Sequence, residues 1–341
     1  MRINVPRLST ANAISFCESL PSYGNDDVFI FDVSKINNYE PLPMLLTSAA
    51  IRQFCAARNL APWQTQLIYN DDSNYQYACH MGFFQAAGFA QGKAPGEAHG
   101  SPSYIPLTRI DIAELTRIAF EEGRPAEQGD IIEFEAKRLS HILSQGDAEF
   151  QKLLQYLLRE AIRNIPEHAG TSNVWLCGQY WHNRDEAEVA ILDEGIGIFN
   201  SLSRNRIHGK YITTNEDSLR WAIKPGISTS FEPARGQRSK DIWANSGYGL
   251  YMISEICKST NGWLTVVSGN DCLRIYPNNS TISATHFNGT ALGIRIKPSK
   301  TIRFQEIIDN ARTKGEIEAR SIRNAFHEAS IPSKGLIYQP F

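Results

Sequence analysis

The feature that most limits the possible folds of this chain is the alternation of short apolar runs with segments of helical periodicity. Residues 28–34 (VFIFDVS) and 66–71 (QLIYND) are short and rich in apolar and aromatic side chains, which is typical of buried strands. Residues 44–58 and 77–89 carry apolar side chains at helical spacing. Strands that alternate with helices predict an α/β unit with a partly parallel sheet in residues 1–110.

The rest of the chain continues both patterns. Residues 90–105 are rich in Gly, Pro, Ala and Ser, which is the composition of a loop. Residues 130–165 are predicted to be helical, because apolar side chains repeat there at three-to-four spacing. Further strands are predicted at residues 174–181, 188–193, 263–269 and 291–296. The other predicted features are a polar stretch at 199–246, a helix that begins near Gly249, and a mostly helical tail from Pro298 that is interrupted by Gly315.

The composition narrows the classes of function. The 341 residues have a formal net charge of -2, so no global charge favours nucleic acid or a membrane surface as a partner. No segment is apolar over the 18 or more residues of a membrane span, and the N-terminus lacks the features of a signal peptide. The six cysteines are scattered without a CxxC pair, so we expect free thiols in the cytoplasm.

The first segment whose side chains can bind a ligand or take part in a reaction is residues 159–168 (REAIRNIPEH). Glu160 and Asn164 are four residues apart and therefore share one face of a helix. A carboxylate beside a carboxamide can hold Mg²⁺ through oxygen atoms, and the carboxylate can also polarise a water. Taken alone, the pattern is more typical of a solvated helix face. Pro166 cannot donate its amide and is predicted to kink or end the helix, which leaves the position of His168 open.

The second segment is residues 193–198 (DEGIGI), directly after a predicted strand. Asp193, at the strand end, can accept a hydrogen bond from an exocyclic amine such as that of adenine. Gly195 and Gly197 allow the backbone to turn tightly and to approach a flat ligand. The alternative interpretation is an ordinary turn between a strand and a loop.

The third and fourth segments are also rich in glycine. Gly247, Gly249 and Leu250 belong to the sequence GYGL that opens a predicted helix, where free amides and the helix dipole favour a phosphate. Asn288, Gly289 and Thr290 precede the strand at 291–296, and the Thr290 hydroxyl is a candidate to join the contact of Asp193 with the base. Separately, the two segments are also compatible with a helix cap and a simple turn.

In this order the four segments resemble the N, G1, G2 and G3 boxes of the GHKL ATPase superfamily, which includes gyrases, heat-shock chaperones, histidine kinases and MutL mismatch-repair proteins. The resemblance covers residues 145–297 and implies an α/β sandwich, a mixed sheet with a helical layer, that binds ATP and Mg²⁺ under a mobile lid. It implies the following roles: Glu160 as general base or Mg²⁺-side residue, Asn164 as Mg²⁺ ligand, Asp193 as adenine contact, Gly195 and Gly197 in the adenine pocket, Gly247, Gly249 and Leu250 around the triphosphate, and Thr290 beside the base.

The same resemblance divides the chain and identifies a lid. The predicted parts are an N-terminal α/β domain at 1–110, a connecting helical segment at 111–144, the ATP-binding domain at 145–297 and a helical tail at 298–341. The lid corresponds to residues 199–246. Its candidate contacts with the γ-phosphate are Arg204, Arg206, Lys210, Lys224, Arg235, Arg238 and Lys240.

The flanking sequences favour one branch of the superfamily. His141 lies nineteen residues before Glu160, too close for the complete dimerising hairpin of a sensor histidine kinase. Only 44 residues follow Lys297, which is too few for the transducer domain of the gyrase, chaperone and MutL branches. The segment 160–169 (ExxxNxxxHA) looks most like the anti-sigma-factor and serine-kinase branch.

The N-terminal part adds a second resemblance. Residues 31–54 (FDVSKINNYEPLPMLLTSAAIRQF) resemble the STAS fold of anti-sigma antagonists, in which a phosphorylatable Ser begins the helix after the loop. The corresponding residues 40–43 (EPLP) contain no Ser or Thr, so we expect a STAS-like docking domain without that phosphoswitch.

The leading hypothesis is therefore a cytoplasmic regulatory ATPase that binds ATP and Mg²⁺, hydrolyses ATP slowly, and changes its affinity for a protein partner or a second copy of the chain. The alternatives are a serine or histidine protein kinase acting on a separate partner, and a nucleotide sensor without hydrolysis. A nucleic-acid partner is not expected.

Overall fold

The chain adopts a mixed α/β structure with two sheets, one of three strands and one of five. None of the described helices combines the length and the apolar character that crossing a membrane requires. The computed structural model describes residues 1–124, 127–228, 246–301, 303–330 and 332–335.

The first sheet is parallel, as the sequence predicts. Its strands are β1 (Arg2–Asn4), β2 (Phe29–Asp32) and β3 (Thr65–Ile68), paired in that order. The helices of this N-terminal unit are α1 (Thr10–Ser19), α2 (Pro41–Ala57), α3 (Ser73–His80) and α4 (Phe83–Ala86).

The helices of the N-terminal unit differ from the prediction in two places. The single helix predicted at 77–89 is wrong, because Gly82 has a φ of 81° and separates α3 from α4. Glycine reaches this left-handed conformation without the steric cost that a Cβ atom imposes. Helix α2 begins three residues before the predicted 44, since Pro41 and Pro43 lie in its first turn, where an amide hydrogen is not needed.

The second sheet is antiparallel throughout, where the family resemblance implied a mixed sheet. The strands are paired in the order β4-β5-β6-β8-β7. The four strands predicted from the second half of the chain are confirmed, and β7 and β8 are longer than predicted. The bounds are β4 (Tyr104–Asp111), β5 (Asn173–Trp181), β6 (Glu186–Asp193), β7 (Trp263–Ile275) and β8 (Ser280–Ile296).

Strand β4 begins inside the segment 90–105, which was predicted to be a loop, and this part of the prediction is wrong. The strand continues past residue 110 and pairs with β5 at the edge of the five-stranded sheet. Pro106 is tolerated because an edge strand bonds to a neighbour on one side only, and the register shifts between Ile105 and Thr108.

Seven helices follow β4 in the described chain, and several of them cover one face of the second sheet. The prediction that residues 130–165 are helical is confirmed for most of that range, although the region is divided at Gln145 and Gly146, which both have positive φ, before Asp147 caps the next helix. The bounds are α5 (Ile112–Glu121), α6 (Gln128–Leu143), α7 (Ala148–Asn164), α8 (Gly197–Leu202), α9 (Asn215–Ala222), α10 (Gly249–Ser259) and α11 (Phe304–Ala319).

Of two predicted helix ends, the one near Pro166 is confirmed and the one at Gly315 is wrong. Helix α7 does end before Pro166, as predicted, and a single wide turn at Ile165–Ala169 follows it. The predicted interruption of the tail at Gly315 is wrong, because α11 runs through it. A Cβ atom at Gly315 would lie 2.5 Å from Cε1 of Tyr251, so the glycine permits close contact of α11 with α10.

The N-terminal unit covers the other face of the five-stranded sheet. In β6, Val189 and Ile191 belong to the core under the helical layer, whereas Ala190 and Leu192 belong to the core shared with the N-terminal unit. Successive side chains of a strand point to opposite faces, so this alternation means that both faces of the sheet are buried. Helix α2 packs on β5, β6 and β8 in the core that the sheet shares with the N-terminal unit.

Candidate functional site

A cleft opens beside the carboxyl end of β6, between α7, α8 and the start of α10. It contains about 800 Å³ of space between protein atoms, including solvent at its open mouth. Its walls are mostly apolar, with few polar side chains. Seven of the nine predicted site residues line it: Asn164, Asp193, Gly197, Gly247, Gly249, Leu250 and Thr290.

Asp193 is the most buried acidic group of the cleft. It is 4% exposed, and the Gly195 amide donates to its Oδ1 at 2.8 Å. Burial raises the pKa of Asp193 to about 6, although hydrogen bonds from Gly195 and Thr290 act in the opposite direction. Thr290 lies directly opposite Asp193 in the pairing of β6 with β8, so the sheet itself brings these two predicted residues together.

The two glycines after Asp193 have separate structural roles. Gly197 has a φ of 75° and faces the cleft, and a Cβ atom there would lie 3.0 Å from Oγ of Ser268. Gly195 is not among the residues that line the cleft. A Cβ atom at Gly195 would lie 2.1 Å from the carbonyl oxygen of Ala169, so this glycine lets the loop lie against the turn after α7.

The glycines at the start of α10 hold the backbone close to neighbouring segments. Gly247 has a φ of 71°, and a Cβ atom there would lie 2.4 Å from the carbonyl of Ile227. Gly249 opens the helix, and its Cβ position is 3.0 Å from Oε2 of Glu160 and 3.7 Å from the amide group of Asn164. The first turn of this eleven-residue helix therefore contacts both predicted residues of α7, of which Asn164 lines the cleft.

Glu160 lies behind this contact and is completely buried, so a solvated helix face is the wrong interpretation of its position. Its Oε2 accepts from Nη2 of Arg163 at 3.0 Å and from Oγ of Ser333 at 3.2 Å. Arg159 lies 3.4 Å from Oε1. Both oxygens of the carboxylate are thus occupied by donors, and Glu160 does not line the cleft.

The residues present fit a magnesium ion only in part. Asn164 lines the cleft next to the first turn of α10, and amide oxygens are suitable ligands for Mg²⁺ when phosphates and waters complete the shell. Glu160 fits less well, because two guanidinium groups already neutralise it. The described residues contain no group of three or more His, Cys, Asp or Glu side chains arranged to hold a metal.

The structure describes four of the seven predicted lid cations. Arg235, Arg238 and Lys240 lie outside the described residues. Of the described cations, Lys224 and Lys210 lie over aromatic rings, with Lys224 Nζ 3.9 Å from the centroid of Trp221. Lys224, Lys210, Arg204 and Arg206 are not among the residues that line the cleft.

Two polar residues had no role assigned from the sequence: His168, which lines the cleft, and Ser268, which bonds to segments beside it. His168 lines the cleft, and burial and the nearby Arg163 lower its pKa to about 4, so it is neutral at pH 7. Ser268 accepts from the amide of Ile198 at 2.9 Å and donates to the carbonyl of Gly289 at 2.8 Å. Its only signal was a polar residue near the end of an apolar strand, a pattern too common to identify a site.

Comparisons of the chain with protein-family models, with curated proteins and with solved structures find no match. The site must therefore be interpreted from its own geometry. That geometry provides a mostly apolar cleft that is lined by a buried carboxylate, a carboxamide and the first residues of a helix.

Proposed function

We propose that the cleft binds ATP and that the chain is a nucleotide-dependent regulatory protein. One observation carries the proposal: four segments that are distant in sequence, and that resemble the GHKL boxes in their order, supply residues to a single cleft. Four unrelated turns and caps would have no reason to meet at one cavity.

The cleft has the chemistry that an adenine nucleotide requires. Asp193 would accept a hydrogen bond from the exocyclic amine, while Ile198, Leu202 and Leu292 would contact the ring. The amides at the start of α10 and the positive end of its dipole would bind phosphate oxygens. Bound Mg²⁺ would neutralise phosphate charge, and Asn164 would be its ligand from the protein.

The test is calorimetry of Mg²⁺-ATP binding to the wild type and to Asp193→Asn. The substitution keeps the size of the side chain but replaces one carboxylate oxygen with a donor. We expect affinity to fall by at least about tenfold, the equivalent of roughly 1.4 kcal/mol for one good hydrogen bond. Asp271→Asn is the control, because Asp271 is a partly buried carboxylate on β7 that is not among the residues lining the cleft. Equal affinity of wild type and Asp193→Asn would refute the adenine contact.

For the consequence of binding, we favour an ATP-dependent conformational switch that alters affinity for a protein partner, with slow hydrolysis. A protein kinase acting on a separate partner is the first alternative, and transfer of labelled γ-phosphate to that partner would identify it. In both cases Glu160 would act as the base. We also propose a cytoplasmic location, a proposal that the scattered cysteines of the sequence support.

One observation favours the second alternative, a nucleotide sensor without hydrolysis. A general base must be free to accept a proton, yet both oxygens of Glu160 are engaged by Arg159, Arg163 and Ser333. Measured release of phosphate from ATP would decide between a switch that hydrolyses ATP and a sensor that only binds it. Turnover that disappears in Glu160→Gln while ATP affinity is retained supports hydrolysis, whereas normal binding without turnover in the wild type supports the sensor.

A further inference from the structure

Helix α2 of the N-terminal unit follows β6 along the back of the five-stranded sheet and is attached to it at both ends. At the start of the helix, the Leu42 amide donates to Oε1 of Glu188 at 3.0 Å. Near its end, Nη2 of Arg52 donates to Oε2 of Glu194 at 2.9 Å. The ten residues from Leu42 to Arg52 rise about 15 Å in a helix, so the two attachments hold widely separated points of α2.

The second attachment contains more than one bond. Gln53 donates from Nε2 to Oε1 of Glu194 at 3.2 Å and to the carbonyl of Asn288 at 2.7 Å. The Asn288 amide returns a bond to Oε1 of Gln53 at 3.2 Å. Arg52 is further oriented by the ring of Trp175, with its Cζ 4.2 Å from the ring centroid. We call Arg52, Gln53, Glu194 and Asn288 the α2 cluster.

The α2 cluster joins two chain segments, and each segment adjoins a residue of the cleft. Glu194 directly follows Asp193 at the end of β6, and Asn288 lies in β8 two residues before Thr290, where the pairing of β8 with β7 is irregular. The two segments lie in close contact, because a Cβ atom at Gly289 would lie 2.1 Å from the carbonyl oxygen of Asp193. A small displacement of one segment against the other would therefore change the geometry of the Asp193 carboxylate and Thr290.

We propose that Arg52 and Gln53 are positioning residues that set the base specificity of the nucleotide site from the opposite side of the sheet. This inference rests on the proposed binding of an adenine nucleotide. Gln53 bonds to Glu194 and to Asn288 at once and so fixes the spacing of the two segments, while Arg52 holds the carboxylate of Glu194 in place. The N-terminal unit is then a component of the nucleotide site as well as a docking domain.

The experiment compares ATP with purine riboside triphosphate, which lacks the exocyclic amine and keeps the sugar and phosphates. The variants are Gln53→Ala and Arg52→Ala, and Glu194→Gln is a milder third change. The controls are Gln85→Ala, whose side chain donates to the carbonyl of Gly92, and Arg109→Ala, which also approaches Trp175 and donates two hydrogen bonds, here to Asn173.

We expect the wild type and both controls to prefer ATP by about tenfold, the value of one hydrogen bond. In Gln53→Ala and Arg52→Ala the preference should fall toward one, mainly through weaker ATP binding, while purine riboside triphosphate binds nearly as before. A purely structural role of the two side chains would weaken both nucleotides equally and lower the melting temperature, and that result would overturn the inference.

The remaining outcomes separate this inference from the proposed function. If the wild type binds ATP with the expected preference and the three variants retain it, the inference is wrong and the proposed function stands. If the wild type binds no ATP, the proposed function fails, and the inference fails with it.

Discussion

The proposed recognition of the exocyclic amine of adenine by Asp193 should depend on pH, because the pKa of this carboxyl group is about 6 in the unliganded protein. The perturbation is a change of pH from 8 to 5. The ionised carboxylate is the stronger acceptor, and hydrogen bonds to charged groups are roughly twice as strong as neutral ones. Preference for ATP over purine riboside triphosphate should therefore decrease as the carboxylate takes up a proton.

The size of the effect follows from the fraction of Asp193 that is ionised. We take an amine preference of about tenfold for the ionised form and none for the protonated form. About half of the groups are ionised at pH 6 and about one in eleven at pH 5. The preference should then fall from about tenfold at pH 8 to about fivefold at pH 6 and about twofold at pH 5.

Calorimetry at the three pH values, with both nucleotides and Mg²⁺, measures this preference directly. The ratio of the two affinities removes the titration of the phosphates, which both nucleotides share. A preference that stays constant from pH 8 to pH 5 would refute either the raised pKa of Asp193 or its contact with the amine. Asp193→Asn separates the two explanations, since it should show a small preference at every pH.

The same group affects the stability of the unliganded protein. The folded-state pKa is raised, so its stabilising contribution is complete below pH 3.8 and is lost as pH rises through about 6. The rise in the pKa of Asp193 from 3.8 to about 6 lowers the free energy of unfolding at pH 8 by about 3 kcal/mol, relative to its value below pH 3.8. Asp193→Asn should therefore be more stable than the wild type at pH 8, with a smaller difference at pH 5, in thermal unfolding without nucleotide.

Two further substitutions test the packing around the cleft. Gly247→Ala should lower the free energy of unfolding by about 2 kcal/mol or more, because its backbone has a φ of 71° and the new Cβ atom would lie 2.4 Å from the Ile227 carbonyl. The control is Gly24→Ala, which should leave the melting temperature unchanged, because a Cβ atom there would have no other atom within 4 Å. Glu160→Gln should cost about 3 kcal/mol by leaving buried guanidinium groups less compensated, whereas the exposed Glu216→Gln should cost less than about 1 kcal/mol. An unchanged melting temperature for Gly247→Ala or for Glu160→Gln would contradict the corresponding contacts.

Sequence patterns identified the elements whose signals are local. The strand before Asp193 and the strand after Thr290 are apolar runs bounded by glycine, and both were found. Strand β4 was missed because it contains Pro106 and follows a glycine-rich loop. Its identity as a strand depends on pairing with β5, which lies more than sixty residues further along the chain.

The environment of a site residue was harder to predict than its position. The spacing of Glu160 and Asn164 correctly places both on α7, but helical spacing does not reveal which elements cover a face. The burial of Glu160 depends on Arg163 in the same helix and on Ser333 in the tail. In the same way, nothing local in residues 44–58 indicates that α2 ends beside the loops of the cleft.

The alternation of the two cores along β6 has a consequence for how this protein can evolve and be divided. Each buried face of the sheet is completed by a different part of the chain, so removal of residues 1–103 would expose Trp175, Leu192 and Phe287 to water. Such a fragment would present a broad apolar surface and tend to aggregate. We therefore expect the N-terminal unit and the five-stranded sheet to fold as one body, so that neither should be stable in solution without the other.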